Sequence, residues 1–229
     1  MPSRHEMERR VAGGNITSTD PTTITGYASV CGVRYSVGEF MEVIGPDAFD
    51  MVMDGNPDIR LLLNHDPNYV LSRTKSGTLT VTSNAKGLYF SGKIAPTQAG
   101  RDCLALVSRG DISECSFSFS VGEGMDTWTQ ETDTRGNSYV LRTINNFKDI
   151  YDCSVVTYPA SSATSCAARN ILPDAVLLEA RSHGAQPGNI FIPRRAVELV
   201  TPAEREEIQN DLRRQKYYNV VESWRAGKR

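Results

Sequence analysis

Between Thr23 and Tyr158 the chain is divided into short runs of β-branched and aromatic residues, each closed off by Gly, Asn, Asp or Pro. The runs fall at 23–31, 59–64, 78–83, 88–94, 113–121, 138–144 and 153–158. Segments of this length and composition read as strands, and a series of them with polar turns predicts an antiparallel sandwich or barrel. Two helices are expected to interrupt the strands. One is Pro46–Met53, with Pro at a first-turn position, and the other is Thr97–Arg109, with Thr97 as N-cap and Gly110 just past its end. A further helix is announced by the capping box Thr201-Pro202-Ala203-Glu204, where Pro holds the first helical position.

Of the 229 residues, 39% are apolar and 23% charged, enough to bury a core without disulfide staples. The formal net charge of −2 argues against a dedicated nucleic-acid-binding protein, which would carry a basic patch. No run of 18 apolar residues is present, so no spanning helix and no membrane partner are expected. The polar opening Met1-Pro2-Ser3-Arg4-His5-Glu6 does not read as a secretory signal. Five scattered cysteines without a Cys-x-x-Cys pair, and only three histidines, speak against a zinc cluster and a disulfide framework.

Charge also divides the chain. Residues 1–168 carry 14 basic and 19 acidic side chains, and residues 169–229 carry 11 and 8. The domains expected are a loose N-terminal arm at 1–22, a β-rich domain at 23–168, and a basic, partly helical tail at 169–229.

Three residues stand out for chemistry. His65 ends the apolar run Leu61-Leu62-Leu63 and precedes Asp66-Pro67, so a buried strand delivers it to a turn. A capping histidine would look the same. His5 lies in the polar arm and His183 in a Gly/Ser/Pro-rich stretch where nothing is expected to hold an imidazole. In Cys115-Ser116-Phe117-Ser118-Phe119-Ser120-Val121, strict alternation sets Cys115, Phe117, Phe119 and Val121 on one face and the serines on the other. The apolar face is expected in the core and the serine face outward, towards solvent or a covering loop, which an ordinary half-buried strand would also show. Asp152 heads Asp152-Cys153-Ser154-Val155-Val156, either a solvated strand end or the third member of a set. A serine hydroxyl needs a base to take its proton, and the base works best when an acid fixes its tautomer.

The ordered set Gly26-Tyr27-Ala28, Glu42-Val43-Ile44-Gly45-Pro46-Asp47-Ala48-Phe49, Leu63-Asn64-His65-Asp66, Gly77-Thr78-Leu79 and Gly87-Leu88 resembles the prohead maturation proteases of tailed bacteriophages. The likeness continues through Arg109-Gly110-Asp111, Ser116-Phe117-Ser118-Phe119 and residues 152–160. It implies a mainly β protein with flanking helices (α+β). The expected core is a mostly antiparallel closed β-barrel similar to herpesvirus assemblin, followed by the helical C-terminal tail. It also implies a serine endopeptidase with Ser116 as nucleophile, His65 as base and Asp152 as the acid. The implied partners are the major capsid protein or scaffolding protein, cleaved inside the prohead in the bacterial cytoplasm, together with autoproteolysis. A homodimer is left open, and no metal or organic cofactor is implied. Three positions depart from the family pattern: Asp47 and Ser118 stand where it has Gly, and Cys153 where it has an apolar residue. The alternative from another class is an inactive capsid- or scaffold-associated assembly protein that retains the barrel.

Overall fold

The computed structural model describes residues 6–10, 16–134, 136–157 and 172–186. Along the chain run β1 (Glu8–Arg10), β2 (Ile16–Asp20), β3 (Thr23–Val30), β4 (Tyr35–Ser36), β5 (Met41–Ile44) and α1 (Asp50–Asp54). They are followed by β6 (Arg60–Leu63), β7 (Asp66–Arg73), β8 (Leu79–Asn84), β9 (Gly87–Lys93) and α2 (Gln98–Arg109). The last are β10 (Glu114–Ser120), β11 (Asp126–Thr132), β12 (Ser138–Ile144), β13 (Asp149–Val156) and α3 (Asp174–Ser182).

The strands form three sheets, ordered β1-β10-β13-β6-β7, β11-β12-β5-β4 and β2-β3-β9-β8. Most pairs are antiparallel, but β13 runs parallel to β6 and β12 parallel to β5. The α+β class is therefore as expected. A closed barrel is not shown: among the described residues no sheet closes on itself by strand pairing. Irregularities in register at Ser118/Phe119, Tyr27/Ser29 and along Leu61-Leu62-Leu63 interrupt the ladders, and such breaks bend strands rather than continue them.

One core unites the first and third sheets. Cys115, Phe117 and Phe119 are fully buried in it, as the alternation of β10 requires. Phe117 and Phe119 stack at 4.7 Å, and Phe147 meets Phe119 edge-on at 4.9 Å. Cys153 is buried in the same core and serves there as a small apolar side chain. Helix α2 begins as expected, with the Thr97 side chain accepting from Gly100 N–H at 3.1 Å, and ends on Gly110 in the left-handed region at φ 80°. Helix α1 starts later than expected, because Gly45–Phe49 form turns with Ala48 N–H on Gly45 O and Asp50 N–H on Asp47 O.

Ordered elements continue past both expected domain limits. Within the stretch read as a loose arm, Glu8–Arg10 pairs with β10 and Ile16–Asp20 with β3. Glu8 and Arg10 are buried despite their charge. Within the stretch read as a tail, α3 buries Val176 and Ala180 against Val37, Phe40 and Val140 of a second core, and Arg181 pairs with Glu39 at 2.8 Å. The helix expected at Thr201 lies outside the described residues.

Candidate active site

The catalytic candidates converge on one face of the five-stranded sheet. β10 and β13 pair so that Ser116 lies opposite Ser154, and Ser118 opposite Asp152. Directly opposed residues of an antiparallel pair share a face, as do residues two apart on a strand. These four side chains therefore form a polar square on the face opposite Cys115 and Phe117.

His65 reaches the square from the neighbouring strand. β6 runs parallel beside β13 and ends at Leu63, and the next two residues turn in the left-handed region, Asn64 at φ 54° and His65 at φ 60°. Such a conformation costs a residue with a side chain about 1–3 kcal/mol, so the surroundings must hold it. Asn64 is held by its N–H on Val155 O at 2.8 Å and by its side-chain oxygen, which accepts from Thr157 N–H at 2.9 Å. The His65 N–H is taken by the Ser154 hydroxyl at 3.2 Å.

The imidazole then lies between the two candidate partners. Its Nδ1 is 2.6 Å from Asp152 Oδ1 and its Nε2 is 2.7 Å from Ser116 Oγ. Burial by itself pushes the Asp152 carboxyl up, but the hydrogen bond and charge of His65 and the hydroxyls of Ser154 and Ser118 outweigh it and hold the carboxyl below the ordinary carboxylate value. An ionised carboxylate can only accept, so in a neutral imidazole the Nδ1 proton faces Asp152 and Nε2 is the acceptor towards Ser116. Ser116 Oγ also lies 2.8 Å from the carbonyl of Arg10, which can take the same hydroxyl proton. Of the two surroundings expected for the serine face, solvent or a covering segment, the second is found: Ser116 is 1% exposed, and Ser118 and Ser120 are buried.

Ser118, already marked as a departure from the family pattern, stands with its Oγ 3.1 Å from His65 Nδ1 and accepts from Arg9 Nε at 3.2 Å. Other neighbours were not singled out from the sequence. Ser154 lies two residues after Asp152, and the same alternation that marked the serines of β10 would have found it. Strand β1 carried no such signal. It is fixed across β10 by buried ion pairs: Arg10 to Glu42 at 2.7 Å and to Glu8 at 2.6 Å, Arg142 to Glu8 at 2.7 Å and to Asp126 at 2.8 Å. Burial pushes the Glu42 carboxyl up, yet Arg10 and Arg142 dominate and keep it below its usual value. His183, expected to be unsupported, follows α3 and stacks on Trp128 with ring centres 6.0 Å apart.

Cys115, the thiol next to Ser116, points into the core and donates to Tyr27 O at 2.7 Å. Its burial, with the Glu114 charge nearby, drives its pKa far above that of a free thiol. Among the described residues no cluster of His, Cys, Asp and Glu could hold a metal ion, and no helix is long and apolar enough to cross a membrane.

A hydroxyl, an imidazole and a buried carboxylate in hydrogen-bonded sequence are the parts of a serine hydrolase site. Comparison with protein-family models gives a match over residues 7–174 to the caudovirus prohead serine protease family. The chain belongs to this family of phage serine peptidases. No curated protein and no solved structure matches it.

Proposed function

We propose that the protein is the maturation endopeptidase of a phage prohead, acting through Ser116, His65 and Asp152. Ser116 attacks the scissile carbonyl while His65 Nε2 takes its proton. The resulting imidazolium is stabilised by Asp152 and then protonates the leaving amine. Water enters the acyl-enzyme by the reverse sequence. The observation that carries this reading is the unbroken chain of short hydrogen bonds from Ser116 Oγ through His65 to Asp152. The substrates are the scaffolding protein or the scaffold segment of the major capsid protein, inside the shell, and the protease itself.

The test is expression of the protein alone and together with its capsid subunit, with products followed on a gel. Shortened subunit and self-cleavage fragments are expected, and both vanish in Ser116→Ala. Fragments that persist in that variant would remove Ser116 from the reaction. The burial of Ser116 favours one rival, an assembly protein that keeps the fold without turnover. Failure of a fluorophosphonate to label Ser116 in assembling proheads would decide for the rival.

A further inference from the structure

The proposed triad occupies two diagonal corners of the polar square, Ser116 and Asp152, and leaves Ser118 and Ser154 unassigned. Ser154 is fully buried, and both partners of its hydroxyl belong to the site. The oxygen donates to Asp152 Oδ1 at 2.6 Å and accepts from the backbone N–H of His65 at 3.2 Å. One atom thus ties the acid to the main chain of the base.

The need for this tie follows from the strand ladder. β6 and β13 are in register through Leu63 and Val155, and Asn64 N–H continues the pairing onto Val155 O. His65 is the first residue beyond it, in the left-handed two-residue turn that joins β6 to β7, where Leu63 pairs with Asp66. Its N–H goes to a side chain rather than to a strand carbonyl. Asp152, by contrast, is set by its strand. Without a link between the two, the 2.6 Å approach of Nδ1 to Oδ1 would depend on the turn alone.

We propose that Ser154 is a positioning residue, whose hydroxyl holds the His65 turn and the Asp152 carboxylate in the mutual register that aims Nε2 at Ser116. The proposal rests on the catalytic reading above and deepens it. Removal of the hydroxyl leaves all three catalytic groups in place but lets the imidazole and the acid drift. Positional errors of this kind are costly because reactivity depends on alignment to within a fraction of an ångström.

The test compares Ser154→Ala, Ser154→Thr and Ser154→Val in the full chain. Thr and Val add the same bulk to a buried site, so their difference isolates the hydroxyl. Two quantities are read: the rate at which a fluorophosphonate labels Ser116, and the downfield proton resonance of His65 Nδ1–H. The Ala and Val variants should label roughly 10–100-fold more slowly, by analogy with the loss of partners that orient metal-bound histidines. In both, the Nδ1 resonance should broaden or vanish, whereas Thr should retain the resonance and label faster than Val. Ala and Val variants with the parental rate and resonance would overturn the proposal. So would Ala and Val variants that unfold while Thr folds, since the hydroxyl would then serve stability alone. If the parent is not labelled at all, the catalytic reading fails, and the resonance still reports whether Ser154 positions His65.

Discussion

Neighbouring side chains on β10 have opposite fates because a strand turns successive residues to opposite faces. Cys115→Ala should therefore leave processing intact and lower stability by about 1 kcal/mol, as for one small buried group. Ser116→Ala should abolish processing with stability little changed, and iodoacetamide should not inhibit the folded enzyme. Cleavage assays alongside urea unfolding distinguish these outcomes, and the reverse pattern would place the register one residue off. Asp152 supplies a pH prediction. Its carboxyl is held below the ordinary value in the fold, while in the unfolded chain it titrates near ~3.9. Its contribution to stability is thus complete above about pH 5 and is lost as pH falls through the folded value. Asp152→Asn should flatten the acid side of the stability curve, read as urea midpoints between pH 6 and pH 3. An unchanged slope would mean that the carboxyl is not ionised in the fold. These candidate residues were legible because strand alternation and the punctuation around His65 are local properties. The burial of Ser116 was not legible, since it depends on Arg10 and His65, which lie 106 and 51 residues away in the chain.

Elements were legible where the local signals agree. Helix α2 has its cap, its buried stripe of Cys103 and Val107, and its terminal Gly110, and it was read within one residue of the observed start. Strands β7 and β11 were not foreseen, because Asp66-Pro67-Asn68 reads as a turn and most of β11 is polar. Strand β1 is the most instructive omission. Glu8-Arg9-Arg10 has the composition of a solvated arm, and its burial makes sense only with Glu42, Asp126 and Arg142 around it. A buried charge that loses its partner is costly. Arg142→Met strips a partner from each of Glu8, Glu42 and Asp126 and should destabilise the protein by about 3–5 kcal/mol, measured by urea unfolding. A loss under about 1 kcal/mol would show that water reaches the cluster.

For the whole molecule, α3 packs on the second core although it lies past residue 168. A chain ending at 186 should fold and retain its near-ultraviolet circular dichroism. One ending at 169 should lose stability, because it uncovers Phe40, Val37 and Val140 and removes the Arg181–Glu39 pair. Equal stability of the two would return α3 to the tail. The buried ion cluster has a consequence for the order of events in folding. Its members come from β1, β5, β11 and β12, and the pair between Arg142 and Glu8 spans 134 residues. Closing so long a loop around charges that must shed water brings no return until the partners have all arrived. The cluster should therefore assemble after the rate-limiting barrier, so that Arg142→Met mainly steepens the loss of the native state, raising the unfolding rate while refolding proceeds at nearly the parental speed. The strand whose carbonyl faces Ser116 would be the last piece set down and the first released. The lifetime of the assembled site would then be governed by a group of charges that never meets the substrate.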